Sequence, residues 1–157
     1  MKNLLFICTG NFYRSRFAEA FFNYLCDVNN LDWRASSAGL KIHLADKKAK
    51  DEGEISIIAK NKLLSKGISK EYFDKKRSKL DEKMLKKADL IILMDKDEHF
   101  SMIKETFPNY VNKAYFYRAK DIEYCDPEIA LRIIEKEIMS LIFNFYMNNY
   151  TFDWLKK

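Results

Sequence analysis

Asn3-Leu4-Leu5-Phe6-Ile7-Cys8-Thr9-Gly10-Asn11-Phe12-Tyr13-Arg14-Ser15 sets an unbroken apolar run directly before a short polar loop, and a helical pattern begins where the loop ends. A short continuous apolar run bounded by turn residues fits a strand buried on both faces, as in a parallel sheet. From Arg14 through Asp27 the positions Phe17, Ala18, Ala20, Phe21, Tyr24 and Leu25 form one apolar stripe at helical spacing. Strand, loop and helix in that order open a βαβ unit, so an α/β fold is expected.

The same alternation continues outward. A second strand is read over 32–37, followed by a polar, irregular stretch from Gly39 to Gly53. Ile55 to Ser65 is helical and stops at Gly67, and Asp81 to Lys87 forms a short helix capped near Ser78 or Asp81. A strand follows over 88–95, then a helix over 97–107 halted by Pro108 and Asn109. Lys113 to Tyr117 is the fourth strand, and the last helix runs over 127–148 with proline in its first turn. No internal repeat interrupts the series.

With 157 residues, 48% of them hydrophobic, the chain supports one core, and a single domain over 1–157 is expected. Its longest apolar stretches, Leu90 to Met94 and Leu141 to Phe145, fall far short of the roughly 20 residues of a membrane span. The N-terminal run is too short for a signal-peptide core, so a cytoplasmic location without membrane attachment is expected. Cys8, Cys26 and Cys125 are odd in number and widely spaced, which argues against a disulfide framework or a zinc site. The net charge of +5 attracts anions without choosing among them. Lys47, Lys48 and Lys50, and Lys75, Lys76 and Arg77, read as solvated surface. Tyr115-Phe116-Tyr117 and the late aromatics Phe143, Phe145, Tyr146, Tyr150, Phe152 and Trp154 read as core and cover, and nucleic acid is not an expected partner.

The loop carries the chemistry. Between a strand end and a helix start, backbone N–H groups point outward and the helix dipole favours an anion. Gly10 and Asn11 are the types that best tolerate positive φ, which a loop needs if its amides are to converge on one anion. Cys8 is then placed at the base and Arg14 at the rim, where a planar guanidinium can grip two phosphoryl oxygens. The same amides and cation favour the thiolate, the nucleophilic form of cysteine. Ser15 is positioned to donate a further hydrogen bond to it.

These residues resemble the signature Cys-x-Gly-Asn-x-Cys-Arg-Ser of the low-molecular-weight protein tyrosine phosphatase family, matched at Cys8, Gly10, Asn11, Arg14 and Ser15. The similarity extends to Phe17-Ala18-Glu19-Ala20, Ser37-Ala38-Gly39, the run from Ala88 to Asp95, and Asp126-Pro127. It implies a four-stranded parallel sheet with helices on both faces. It also implies metal-independent phosphomonoester hydrolysis without a cofactor, acting on a phosphorylated protein or small aryl phosphate, by a monomer or weak dimer. By the resemblance Cys8 is the nucleophile that forms a phosphocysteine, Arg14 the clamp and Asp126 the general acid and base. Thr9, Gly10, Asn11, Phe12, Tyr13, Arg14 and Ser15 would bind phosphate. Asn11, Ser15, Ser37 and Asp95 would support the loop.

Departures from the family pattern bear on specificity. Tyr13 stands where a second loop cysteine is usual, so a protective disulfide with Cys8 is ruled out. Phe12 is bulkier than the threonine of the arginine-specific branch, which favours aryl phosphates. Phe12, His43, Glu128 and Ile129 are assigned to the pocket wall, the last two replacing tyrosines that commonly follow Asp-Pro. Asp121, five residues before Asp126, is the second choice of acid. Competing readings are a pseudophosphatase that binds phosphorylated partners and an arsenate reductase, although Cys26 and Cys125 do not match the cysteine pair of the latter.

Overall fold

In the computed structural model, which describes residues 1–156, the opening apolar run forms β1 (Lys2–Cys8) inside a four-stranded sheet. β2 (Trp33–Gly39), β3 (Leu90–Leu93) and β4 (Ala114–Phe116) complete it in the order β2-β1-β3-β4, every neighbouring pair parallel. The expected α/β architecture is present.

Side chains of β1 alternate across the sheet. Leu4, Phe6 and Cys8 join the core beneath α1 (Arg14–Val28) and a long C-terminal helix, which supplies Ile134, Ile138 and Leu141. Leu5 and Ile7 face the opposite layer with Leu40, Leu85, Leu93 and Ile103. Burial on both faces is why this strand reads as a continuous apolar run.

The remaining helices are α2 (Asp46–Glu52), α3 (Ile57–Ser65), α4 (Glu82–Lys87), α5 (Lys96–Thr106) and α6 (Pro127–Tyr146). α3 starts later than expected because the Ser56 side chain accepts from the Ile58 and Ala59 N–H groups and so becomes the N-cap. Asp81 caps α4 through the Met84 N–H. β3 is shorter than expected because Ala88 and Asp95 serve as the C-cap of α4 and the N-cap of α5. The stretch read as irregular, 39–53, contains a 3₁₀ turn, Ile42–Ala45, and then α2. α2 has no buried residue, so it lacks the apolar stripe that would announce it. No helix among the described residues is long and apolar enough to cross a membrane.

Phe145 stacks on Trp33 at 4.2 Å between ring centroids and meets Phe22, Tyr150 and Phe152 edge-on or tilted. Phe143 and Tyr146, expected as cover, instead face solvent. Phe145→Ala is therefore expected to cost about 3–5 kcal/mol of folding stability in chemical denaturation. Phe143→Ala should stay within about 0.5 kcal/mol of the unaltered protein.

Candidate active site

The phosphate loop spans the gap between the end of β1 at Cys8 and the start of α1 at Arg14. Asn11 takes the left-handed conformation, φ 49°, which its short polar side chain tolerates. Gly10 was expected to share that conformation, but the positive-φ glycines are Gly53 and Gly67. Gly10 is needed for space: a Cβ there would lie 2.7 Å from the Ala45 Cβ. Gly39, paired with Cys8 in the sheet register, is tighter still, because a Cβ would lie 2.7 Å from the Thr9 carbonyl oxygen and 2.9 Å from the Asn11 nitrogen.

Hydrogen bonds behind the loop have a fixed direction. Asn11 Nδ2 donates to Ser15 Oγ and to Ser37 Oγ, both at 2.9 Å, while its Oδ1 accepts from the Ser78 N–H at 2.8 Å. The Ser37 hydroxyl donates to Glu19, whose other carboxylate oxygen takes Lys75. Ser15 accepts from Asn11, so its own proton is available to Cys8 Sγ, 2.9 Å away. Sulfur is then the acceptor, the role a thiolate fills.

Arg14 is only 2% exposed. Its Nη1 donates to the Ala119 carbonyl at 2.9 Å and its Nη2 to Glu98 Oε2 at 2.8 Å, with Asp121 Oδ2 at 3.5 Å. Burial works against the guanidinium charge, but the bond to Glu98 and the nearby Cys8 and Asp121 overcome it and raise its pKa. Glu98 also accepts from the Thr9 hydroxyl and lies 2.8 Å from His99 Nε2. The Asp95 N–H donates to His99 Nδ1 at 3.1 Å, which leaves the proton of the neutral ring on Nε2, facing Glu98. Burial alone would raise the Glu98 carboxyl, yet the bonds from His99 and Arg14 hold it far below the ordinary glutamate range.

A cavity of about 470 Å³ opens onto this loop. Cys8, Thr9, Gly10, Phe12, Tyr13 and Arg14 line it, as do Glu98, Met102 and Asp121, while the exposed Leu44, Ile58 and Tyr124 belong to its outer part. Asn11, Ser15 and Ser37 stand behind the loop as its support. Asp95 reaches the loop only through its backbone N–H and His99; its carboxylate faces Lys120 Nζ at 3.6 Å. Four further expected positions are, like these, not among the cavity-lining residues. His43 lies in the 3₁₀ turn whose next residues, Leu44 and Ala45, line the cavity. Glu128 pairs with Lys62 at 2.6 Å, and Ile129 is exposed on α6. Asp126 accepts from the Glu128 N–H at 2.8 Å as the N-cap of α6. Helix α6 begins directly at Pro127, so this Asp-Pro pair is a helix start, and the aspartate of this segment that lines the cavity is Asp121.

Sequence reading missed Glu98, His99 and Met102. The available signal was the i, i+4 spacing of Glu98 and Met102, which puts both on one helix face beside a histidine. It also misread Arg77 as solvated, whereas Lys75 is exposed as expected. Lys75 meets buried Glu19, and Arg77 Nη1 donates to the Gly10 and Ile42 carbonyls at 3.2 and 2.8 Å. Cys26 is the inert thiol of the set, fully buried, with burial pushing it up to about 12.

A thiol and an arginine at opposite ends of an anion-binding loop, on the C-terminal edge of a parallel sheet, define the site of a cysteine-based phosphatase. Residues 3–127 match the family described as low molecular weight phosphotyrosine protein phosphatase, and the chain belongs to that family. Among its relatives is a protein-arginine-phosphatase of Bacillus subtilis, 29% identical over 113 residues, which are 72% of this chain and 68% of that protein. Solved structures of similar fold include the low molecular weight protein tyrosine phosphatase of T. tengcongensis, with TM-score 0.69 and 24% identity over 94% of this chain and 99% of that one. YfkJ from Bacillus subtilis superposes with TM-score 0.74 and 22% identity over 94% and 96%.

The charge balance around Arg14 makes stability depend on pH. Glu98 is depressed in the folded protein, so between its folded value and the ordinary 4.5 the unfolded chain binds the extra proton. The stability that Glu98 contributes is complete above 4.5 and is lost as pH falls toward the folded value. The stability gap between the unaltered protein and Glu98→Gln, followed by urea denaturation, should therefore be widest near neutrality and narrow steadily below pH 4.5.

Proposed function

We propose that the chain hydrolyses phosphate monoesters through a phosphocysteine on Cys8, with Asp121 as the general acid and base. The observation that carries this reading is the shared cavity of Cys8, Arg14 and Asp121, with Ser15 donating toward the sulfur. In the first step Cys8 Sγ attacks phosphorus and the bond from phosphorus to the leaving oxygen breaks, that oxygen taking the Asp121 proton. In the second, water attacks phosphorus, Asp121 takes back a proton, and the S–P bond breaks to return the thiolate and release phosphate. Arg14 and the N–H groups of residues 9–15 neutralise charge on the equatorial oxygens.

Phe12, Tyr13, Leu44, Ile58, Ile122 and Tyr124 give the cavity apolar walls, which favour an aromatic leaving group such as the phenol released from phosphotyrosine. A second reading, phosphoarginine, draws on the arginine phosphatase relative and on the excess of carboxylates, Glu52, Glu98, Asp121 and Glu123, over Arg14 and Lys48. A guanidinium leaving group would meet those carboxylates favourably.

Assays with p-nitrophenyl phosphate, a phosphotyrosine peptide and a phosphoarginine peptide test both levels. Cys8→Ser and Arg14→Lys should abolish turnover on every substrate. Asp121→Asn should lower kcat by about 10²-fold or more, in the range of general-acid contributions. Asp126→Asn should cost only what a lost helix cap costs in stability, about 1 kcal/mol. A larger kcat loss in Asp126→Asn than in Asp121→Asn would reverse the assignment. Preference for the phosphoarginine peptide would replace the aryl reading.

A further inference from the structure

Arg16 lies in the first turn of α1, beside the phosphate loop, and is 1% exposed, yet no step of the proposed reaction uses it. Its Nη2 donates to the Phe73 and Lys75 carbonyls at 2.8 and 2.7 Å. Its Nη1 is buried without a hydrogen-bond partner among the described residues. The buried Glu19 carboxylate, one turn further along α1, is committed to Ser37 and Lys75, and Arg16 pairs with no carboxylate among the described residues. Burial pulls the Arg16 pKa below the ordinary arginine value, against the opposing pull of Glu19, Glu54 and Cys8 and with a small push from Arg77. Arg14 moves the other way despite its burial, because Glu98, Cys8 and Asp121 outweigh it.

The two arginines flank Ser15, whose hydroxyl lies 2.9 Å from Cys8 Sγ. They leave the helix toward different partners, Arg14 to Glu98 and the Ala119 carbonyl, Arg16 to the carbonyls of Phe73 and Lys75. The sulfur thus rests against the residue that separates a cation matched by carboxylates from one that is not. On the cavity side the other charged groups beside Cys8 and Arg14 are Lys48, Glu52, Glu98, Asp121 and Glu123, a balance that works against a second negative charge. We propose that Arg16 is an electrostatic partner of Cys8: its buried, otherwise unmatched charge holds the sulfur, from behind the loop, as the thiolate that attacks phosphorus. This rests on the reading of Cys8 as the nucleophile. Charges inside a protein act over longer distances than in water, so the guanidinium needs no contact with the sulfur, and arginine keeps its proton under burial.

Alkylation by iodoacetamide, an uncharged reagent, reads the thiolate directly. Its rate at Cys8 is followed against pH in the unaltered protein, Arg16→Met and Arg16→Gln, with mass spectrometry of the Cys8 peptide keeping Cys125 apart. Arg16→Met removes the charge and both carbonyl bonds, whereas Arg16→Gln removes the charge and keeps an N–H donor for the carbonyls. Replacing an unmatched buried charge by an apolar side chain of similar volume is often neutral or stabilising, and urea denaturation checks the fold of each variant. The expected result is a rise of the half-maximal pH by about one pH unit in both variants, the size of a nearby charge's influence, with the alkaline plateau within about twofold. Turnover of p-nitrophenyl phosphate should fall more at acidic than at alkaline pH in the same two proteins. An unchanged midpoint in either folded variant, or a rise in Arg16→Met alone, would overturn the electrostatic role and leave Arg16 as a staple for the backbone of 73–75. Turnover that survives Cys8→Ser would instead overturn the nucleophile reading, and the part of Arg16 in it, whatever the midpoints show.

Discussion

The Asn11 side chain has no contact with solvent, so its carboxamide must find its partners inside the protein or destabilise the fold. It finds them on three separate pieces of chain: Ser15 in α1, Ser37 in β2 and the Ser78 backbone in the approach to α4. Those three bonds, with the left-handed backbone at Asn11 itself, hold the loop against the end of the sheet. The path of the loop follows from this, as does the close approach that excludes a side chain at Gly39. The direction of donation also follows, because an amide that gives both protons to hydroxyls leaves the Ser15 proton for the sulfur.

A second constraint is the burial of charge. Arg14 is nearly inaccessible, and a buried cation without a partner would be costly. Glu98 provides that partner and is itself held by Thr9 and His99, so the carboxylate has little freedom to leave the guanidinium. The arrangement holds Arg14 in one orientation at the cavity, so the clamp role proposed for it would need little reorganisation. Glu19 plays a parallel part behind the loop: its buried carboxylate is matched by Lys75 and orders the Ser37 hydroxyl. The two buried acids therefore serve the loop from opposite sides.

The central strand, the loop and α1 were legible because each obeys one dominant rule: unbroken apolar burial, loop residues at a strand end, and a helical stripe. The same is true of Cys8 and Arg14, which are close in sequence as well as in space. Glu98, His99 and Arg77 reach the loop from 60 or more residues away, and such partners leave no local pattern. Arg77 shows the difficulty plainly. In sequence it belongs to a basic cluster, and only the folded chain reveals that its guanidinium is spent on the carbonyls of Gly10 and Ile42.

The family resemblance assigns the acid to Asp126, directly before Pro127, and ranks Asp121 second. What distinguishes the surroundings of the two aspartates is where α6 begins. A capping carboxylate turns back onto the N–H groups of its own helix, here that of Glu128, and is occupied there. Asp121 instead lines the cavity, with its Oδ2 3.5 Å from Arg14 Nη2, and that is the arrangement our proposal builds on. The helix cap and the cavity-lining aspartate thus lie on one connection, and the helix start at Pro127 gives the two carboxylates different surroundings.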